Sequence, residues 1–302
     1  MQELLSLEFS IFSMMAVGFI LKMLNIVGEG AEKTVSGIVI SVVLPCNIVL
    51  SFMVDMTDNM ISDCLWVIAL STLIQIIAVI YSKIAFRNCG KDEYCNLYFA
   101  MICSNASFLG NPISEGVFGS YGLMIASIYL IPQRFMMWSA GLAAYSGMSD
   151  KAMAFKKIIT HPCVIACVTG FVCMIFRISF PDFILSPVQL LGRCNTALSM
   201  MAVGMVLCKI DLRSVINKTV VAYTIHRLVI MPLIIYVICL FLPVGKTVSG
   251  VSVLLAAMPA GATTGMLAVK YERKPEFAAN LIFFSTVCSV PAIIVWSVIL
   301  TM

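Results

Sequence analysis

The chain has 302 residues, of which 61% are apolar and 11% are charged. Soluble proteins carry roughly 45–50% apolar and about 25% charged residues, and the mean hydropathy here is +1.03. Too few polar side chains are present to cover a water-facing surface of this size, which argues strongly against a soluble enzyme. The net charge of +4 forms no basic stripe, so a nucleic-acid-binding protein is equally disfavoured. The composition predicts an integral membrane protein.

Apolar runs long enough to cross a bilayer follow one another along the whole chain. About 20 apolar residues span a membrane as a helix. Runs of this kind, separated where charged residues, Gly and Pro gather, predict ten spans: 7–26, 34–54, 62–85, 94–118, 120–146, 158–178, 185–208, 217–242, 247–270 and 277–301. The start of the chain carries Glu3 before the first run and Glu8 within it but no Lys or Arg, which is wrong for a signal peptide, so we expect the first run to remain a span.

Basic residues are distributed unevenly over the connections between these spans. Of the 19 Lys and Arg, 14 lie in the connections that follow odd-numbered spans or at the span ends that adjoin them. The two termini and the even-numbered connections hold Arg177 and Lys246 alone. Because cytoplasmic loops are enriched in Lys and Arg, we expect the odd-numbered connections in the cytoplasm and both termini outside, in the cell (inner) membrane.

Ten spans divide into two sets of five near the middle of the chain. The predicted domains are 1–148 with spans 1–5, a cytoplasmic linker 149–157, and 158–302 with spans 6–10. Since five is an odd number, the two halves would cross the membrane in opposite orientations, as an inverted repeat. Residues that recur at similar offsets favour a duplication: Gly18 and Gly170, Cys46-Asn47 and Cys194-Asn195, Asn105-Ala106 and Pro259-Ala260.

The fourth and ninth spans are the two most interrupted by small and polar residues, in 103–112 and in 258–265. Broken helix inside a membrane is tolerated only against protein or a wet cavity, and matching broken spans in two inverted halves point to a transporter's substrate site. Half-helix N-termini at such a place present free N–H groups and positive dipole ends, which suit an anion. The alternative is that these small residues only allow close helix packing.

The predicted substrate-binding residues surround these two interruptions. They are Ser104, Asn105, Gly110, Asn111, Pro112, Gln133, Arg134, Pro259, Gly261, Thr263 and Thr264. Asn105 can donate two hydrogen bonds to a carboxylate, and the guanidinium of the intramembrane Arg134 suits a second carboxylate of a dianion. Alternatives stay open for both: an interhelical amide contact for Asn105, and a fixed pair of Arg134 with Glu115 or a backbone carbonyl.

Two residues are candidates for proton-linked transport. His226 lies in the interior of a predicted span, whereas His161 lies at the edge of another, and histidine side chains ordinarily titrate near neutral pH. The adjacent Arg227 disfavours the protonated form of His226, and simple packing is the alternative. Glu115 lies three residues past Pro112. No pair of mid-span carboxylates is present to hold a sodium ion, and the twelve Cys show no metal-like spacing with either histidine, so we expect buried apolar thiols and neither a metal nor a cofactor.

The motifs of the fourth and ninth spans resemble those of the auxin efflux carrier family. The matching residues are Asn105, Gly110, Pro112, Ile113, Phe118 and Gly119 in the fourth span and Pro259, Gly261, Ala268 and Tyr271 in the ninth. Supporting matches are Leu44-Pro45, Pro162, Gly170, Gly204 and Pro291. The large cytoplasmic insert of the plant members is absent, so the chain resembles a compact bacterial member. One departure is Thr264-Gly265, where plant members have a second Pro; glycine can also break a helix.

The resemblance implies an all-α membrane fold of ten helices in two inverted five-helix repeats, like that of bile-acid and sodium–proton carriers. Helices 1, 2, 6 and 7 would form a scaffold, often dimeric, and helices 3–5 and 8–10 a mobile transport domain. Helices 4 and 9 would cross at the substrate, with the family's carboxylate-binding Asn at Asn105. The implied function is elevator-type transport of a small organic anion, such as malate, malonate or an auxin-like carboxylate. A membrane sensor or interaction protein that keeps this fold without transport is the alternative.

Overall fold

The computed structural model describes residues 2–53, 60–146, 156, 159–178, 180–208 and 217–301, and these residues are almost entirely helical. The helices are α1 Gln2–Met23, α2 Ala31–Ser51, α3 Met60–Ala85, α4 Lys91–Ile102, α5 Ala106–Tyr145, α6 Pro162–Ile175, α7 Asp182–Arg193, α8 Asn195–Leu207, α9 Lys218–Leu240, α10 Lys246–Ala256, α11 Thr263–Lys270 and α12 Pro275–Thr301. Apart from one isolated bridge, these described ranges contain no β-structure. The predicted linker 149–157 lies outside them, except for Lys156.

Five of these helices, α2, α3, α5, α9 and α12, are long and apolar enough to cross a membrane. Large apolar side chains also cover much of the outer surface, and Leu65, Ile84 and Leu240 are each more than 60% exposed. Water would penalise such a surface, whereas lipid chains accept it. The prediction of an all-α integral membrane protein is therefore confirmed.

Four predicted spans agree with observed helices to within three residues at each end, namely α2, α3, α9 and α12. The sixth predicted span starts four residues before α6. The helix begins at Pro162, which occupies its first turn. His161 is the N-cap residue of α6, and its ring accepts a hydrogen bond from the Cys163 amide. The seventh predicted span is divided at Cys194 into α7 and α8.

The fourth and fifth predicted spans meet inside one long helical stretch, α5. The bend between them lies at Gly119, which has φ 67° and ψ −166°. This left-handed φ strongly favours glycine. The predicted division between the two spans therefore coincides with a backbone conformation that only this residue type adopts easily.

Contacts within the chain separate two compact units. The first contains Met1–Cys64, Ser107–Ile128 and Ile159–Lys209, and the second contains Leu65–Ala106, Tyr129–Ile158 and Ile210–Met302. In the second unit α3, α4, α9 and α12 share an apolar core that includes Leu97, Met101, Tyr223, Met231 and Leu281. The indole N–H of Trp296 donates to the Leu228 carbonyl at 2.9 Å, which ties α12 to α9.

In the first unit, α1 and α8 approach each other closely enough for their backbones to touch. A Cβ atom added to Gly18 would lie 2.1 Å from the Met201 carbonyl oxygen, and one added to Gly204 would lie 1.9 Å from that of Met15. Small residues allow this kind of approach in membrane helices. The two glycines thus set the distance between α1 and α8.

We expect Gly204→Val to destabilise the protein by about 3 kcal/mol, because the new side chain forces α1 and α8 apart. Thermal unfolding of the purified protein in detergent measures the effect. Gly37→Val is the matched control, since Gly37 lies within α2 and a Cβ there meets nothing within 4 Å. Equal melting temperatures for the two variants would contradict the close packing of α1 on α8.

Candidate substrate site at two interrupted helices

Both predicted interruptions occur in the structure, and the chain leaves helical conformation at each. α4 ends at Ile102 and α5 begins at Ala106, while α10 ends at Ala256 and α11 begins at Thr263. Between these ends, Ser104 and Ala260 form an isolated antiparallel bridge, referred to below as the crossing. The Asn105 amide donates to the Pro259 carbonyl at 2.8 Å, and the Gly261 amide donates to the Cys103 carbonyl at 3.0 Å. Backbone groups released by one interruption are therefore satisfied by the other.

Serine and glutamine side chains hold the crossing in place within the second unit. The Gln133 amide nitrogen donates to the Ser104 carbonyl at 3.1 Å, and the Ser104 hydroxyl donates to the Gln133 side-chain oxygen at 3.3 Å. From α12, the Ser285 hydroxyl accepts the Ala260 amide at 3.1 Å. Gln133 and Ser104, both predicted as substrate-binding, thus bind each other, and Ser285 is a positioning residue that the sequence analysis missed.

Two polar residues at the crossing are largely shielded from solvent. Asn105 is 7% exposed, and its hydrogen bond across the crossing comes from its backbone amide. Thr264 is fully buried, and its hydroxyl lacks a hydrogen-bond partner among the residues described. An unsatisfied buried polar group costs about 1–3 kcal/mol. A ligand or water at the crossing would satisfy such groups.

Two buried arginines belong to the helices around the crossing. Arg134 on α5 and Arg227 on α9 are 4% and 3% exposed. Arg134 directly follows Gln133, whose side chain binds Ser104, and Thr263 begins α11 two residues after Gly261. These two predicted site residues therefore belong to segments that adjoin the crossing. A buried guanidinium near such a site favours an anionic ligand.

Arg227 contacts the crossing directly, which the sequence analysis did not anticipate. Its Nε donates to the Met258 carbonyl at 2.8 Å, and its Nη1 donates to the Met101 carbonyl at 2.9 Å. These acceptors are backbone atoms, 31 and 126 residues away in the sequence. No side-chain motif marks such a contact, which is why the role of Arg227 was missed.

The remaining predicted binding residues belong to the first unit. Gly110, Asn111 and Pro112 lie at the start of the α5 segment that groups with that unit. Asn111 is fully buried, and neither atom of its amide group has a partner among the described residues. Asn111 is thus a second buried carboxamide with unused hydrogen-bonding capacity.

The two candidate proton-linked residues have protein partners. The carboxylate of Glu115 accepts a hydrogen bond from the Asn47 side chain at 2.8 Å within the first unit. His226 is hydrogen-bonded through Nδ1 to the Tyr81 hydroxyl, and its ring packs edge-on against Tyr81 and Phe86. The contacts of His226 fit the packing alternative. No cluster of His, Cys, Asp or Glu suited to a metal ion occurs in the described part of the chain.

A network of polar contacts ties the start of α4 to the end of α11. Asp92 pairs with Arg273 at 2.7 Å, and Glu93 pairs with Lys274 at 2.7 Å. The Glu93 carboxylate raises the pKa of Lys274, so this amine stays charged at neutral pH. Asn96 donates to the Arg273 carbonyl at 2.8 Å. The two half-helices that enter and leave the crossing are thereby fixed at their far ends.

A separate cavity of about 410 Å³ lies in the first unit, between α2, α6 and α7. Its lining is largely apolar and contains residues such as Val49, Ile165, Ile184 and Val188. It offers hydroxyls from Ser41 and Thr169 but neither a carboxamide nor a cation. The cavity therefore suits an apolar chain better than a carboxylate, and the crossing is the candidate site for an anion.

Comparison with known proteins identifies the family of the chain. The sequence model of a family described as membrane transport protein matches residues 6–297. An uncharacterized transporter of Methanothermobacter thermautotrophicus is 29% identical over 300 residues, which cover 96% of each chain. An uncharacterized transporter of Methanocaldococcus jannaschii is 26% identical over 294 residues, or 94% of each chain. The chain therefore belongs to the membrane transport protein family, which is the family of the auxin efflux carriers.

Proposed function

We propose that the protein is a secondary transporter of small organic anions, with its substrate bound at the crossing. The observation that carries the proposal is the place of Asn105, which is 7% exposed and whose backbone amide binds the Pro259 carbonyl, so that its carboxamide lies at the crossing. A carboxamide in this state offers two N–H donors to a carboxylate without needing a counter-charge. Burial strengthens such bonds, because little water competes for them.

The charges around Asn105 support an anion over a cation. α11 begins at Thr263 beside the crossing, and the N-terminus of a helix carries about +0.5 of an elementary charge. The buried Arg134 adds positive potential. The ion pairs between described residues of the second unit join Asp92 with Arg273 and Glu93 with Lys274, away from the crossing. A carboxylate would therefore find donors and positive potential at the same place.

We further propose that the preferred substrate is a dicarboxylate, such as malate or malonate. Asn105 would accommodate one carboxylate, and Arg134, which is buried and directly follows the Ser104-binding Gln133, would neutralise a second. A guanidinium binds a carboxylate through two parallel hydrogen bonds. An auxin-like monocarboxylate would use the Asn105 subsite alone.

Arg134→Gln tests the dicarboxylate assignment. We expect affinity for a dicarboxylate to fall at least tenfold, since a charge-assisted hydrogen bond contributes about 1.5–3 kcal/mol, while affinity for a monocarboxylate changes less than about threefold. Isothermal titration of both substrate classes measures the difference. Unchanged selectivity between the two classes would assign Arg134 a structural role.

For the transport mechanism we propose elevator-type alternating access. Support comes from the two units, since the first groups residues of predicted spans 1, 2, 6 and 7, and the second groups most residues of spans 3, 8, 9 and 10. Residues 107–128, from spans 4 and 5, group with the first unit and depart from the scaffold that the family resemblance implies. Two interruptions paired through one bridge are what two inverted repeats would produce.

We also propose that the chain crosses the inner membrane ten times with both termini outside. The protein would form a homodimer through the first unit. The distribution of Lys and Arg supports the orientation. The sequence has no phosphate-binding loop, so we propose that substrate gradients drive transport. Cysteine accessibility at engineered positions in the two termini would test the orientation.

A thermal-shift screen of the purified protein tests the proposed function. The ligands are mono-, di- and tricarboxylates and indole-acetate-like acids, each at matched ionic strength. A substrate present at about 100 times its Kd should stabilise the folded protein by about 2.7 kcal/mol. Stabilisation by dicarboxylates but not by amines or sugars is expected. If no carboxylate raises the melting temperature, the anion assignment fails.

A further inference from the structure

Two helix C-termini, those of α4 and α10, meet at the crossing. The last four carbonyls of a helix have no partner within it, and together they carry about −0.5 of an elementary charge. Met101 lies in the last turn of α4, and Met258 follows the end of α10 by two residues. Two such ends in one place repel each other unless a cation lies between them.

Arg227 supplies that cation. Its guanidinium donates to the Met101 carbonyl at 2.9 Å and to the Met258 carbonyl at 2.8 Å, so that one side chain joins both ends. The side chain comes from a π-helical turn of α9, His226–Ile230. Such turns interrupt the regular helix and are frequent at functional sites.

Arg227 has no carboxylate partner among the described residues, although it is only 3% exposed. Burying an unpaired charge costs several kcal/mol. Its compensation therefore comes from the backbone, where the two helix ends together provide about one negative charge. The carbonyls at the two ends therefore offset the charge of Arg227.

We infer that Arg227 is a built-in cation of the crossing, which holds the ends of α4 and α10 together and replaces an inorganic cation there. Substrate binding and transport at this site then require no sodium ion. This consequence for coupling rests on the proposed transport function, whereas the role of Arg227 in the crossing does not.

The test compares melting temperatures of the wild type, Arg227→Lys and Arg227→Met in sodium chloride and in choline chloride at equal ionic strength. The wild type and Arg227→Lys should melt at the same temperature in both salts. Arg227→Met should melt at least about 6 °C lower in choline, and sodium should raise its melting temperature because the exposed carbonyls accept a metal cation. Arg193→Met, which removes an exposed arginine from α7, should behave as the wild type.

Two results would overturn the inference: a wild-type melting temperature that rises with sodium, or an Arg227→Met variant as stable as the wild type in choline. If Arg227→Met yields no folded protein, the Arg227→Lys variant distinguishes a charge role from a packing role. A lysine variant that folds and whose melting temperature does not depend on sodium supports the charge role. A lysine variant that also yields no folded protein assigns Arg227 to packing. These melting temperatures are measured without a carboxylate, so they do not depend on the proposed function. If the proposed function is wrong, the carboxylate thermal-shift screen shows it, and the test of Arg227 is unaffected.

The coupling consequence has its own measurement. In proteoliposomes loaded with the carboxylate found in the screen, replacing sodium with choline should leave the counterflow rate of the wild type within about twofold. A rate that falls tenfold or more without sodium would show that the crossing needs a metal cation in addition to Arg227.

Discussion

Asn105→Ala is expected to lower carboxylate affinity by about 10- to 100-fold while the protein stays folded. The reason is that the contact of Asn105 with the crossing is made by its backbone amide, which alanine keeps, so that the substitution removes the carboxamide donors to the substrate. A hydrogen bond to a charged group contributes about 1.5–3 kcal/mol, which corresponds to this range. Asn105→Asp keeps the shape but adds a negative charge, and should bind an anion still more weakly.

Asn195→Ala is the matched control for this pair of variants. Asn195 is also a buried carboxamide, at the start of α8 in the first unit, where its oxygen accepts the Ser199 hydroxyl at 3.3 Å. We expect its loss to change the melting temperature but not the carboxylate Kd measured by titration. Equal losses of affinity in Asn105→Ala and Asn195→Ala would indicate a general destabilisation and would remove Asn105 from the site.

Gly261→Ala is expected to reduce transport at least tenfold. A Cβ on Gly261 would lie 2.9 Å from the Cys103 carbonyl oxygen and 3.3 Å from that of Ser104. These are backbone atoms on the opposite side of the bridge, so they cannot move aside without opening the crossing. Overpacking of this kind costs about 1–3 kcal/mol, and the displaced bridge carries the amide of Asn105 with it.

Gly265→Ala controls for the general effect of a methyl group on α11. A Cβ there meets the end of the Ile282 side chain at 3.2 Å, which can rotate away. Its uptake rate should remain within about twofold of the wild type. Loss of transport in Gly265→Ala comparable to that in Gly261→Ala would show that α11 tolerates no added volume, and that the bridge has no special role.

Much of the helical order was predictable because the bilayer imposes a length. The predicted spans 62–85 and 277–301 agree closely with α3 and α12, because a continuous apolar run of that length is typical of a membrane-spanning helix. The interruptions at Asn105 and at Pro259 were also predictable, because the sequence there cannot continue an apolar helix. Pro162 and Cys194 changed boundaries that hydropathy alone leaves undefined.

Within the candidate site, the identity of the polar residues was easier to predict than their partners. Asn105 was expected at the interruption, and its backbone amide binds the Pro259 carbonyl there. Ser104 and Gln133 were expected to face the substrate but bind each other, because a released backbone carbonyl nearby needs a donor. Arg227 was missed for the same physical reason: its acceptors are carbonyls, which every residue has.

The most direct test of the central claim is uptake of radiolabelled malate or malonate by proteoliposomes that contain the purified protein and a trapped dicarboxylate. The account predicts saturable exchange that unlabelled dicarboxylate inhibits and that Asn105→Ala reduces at least tenfold. Saturable exchange that Asn105→Ala leaves at the wild-type rate, or no exchange of any carboxylate that binds, would contradict it.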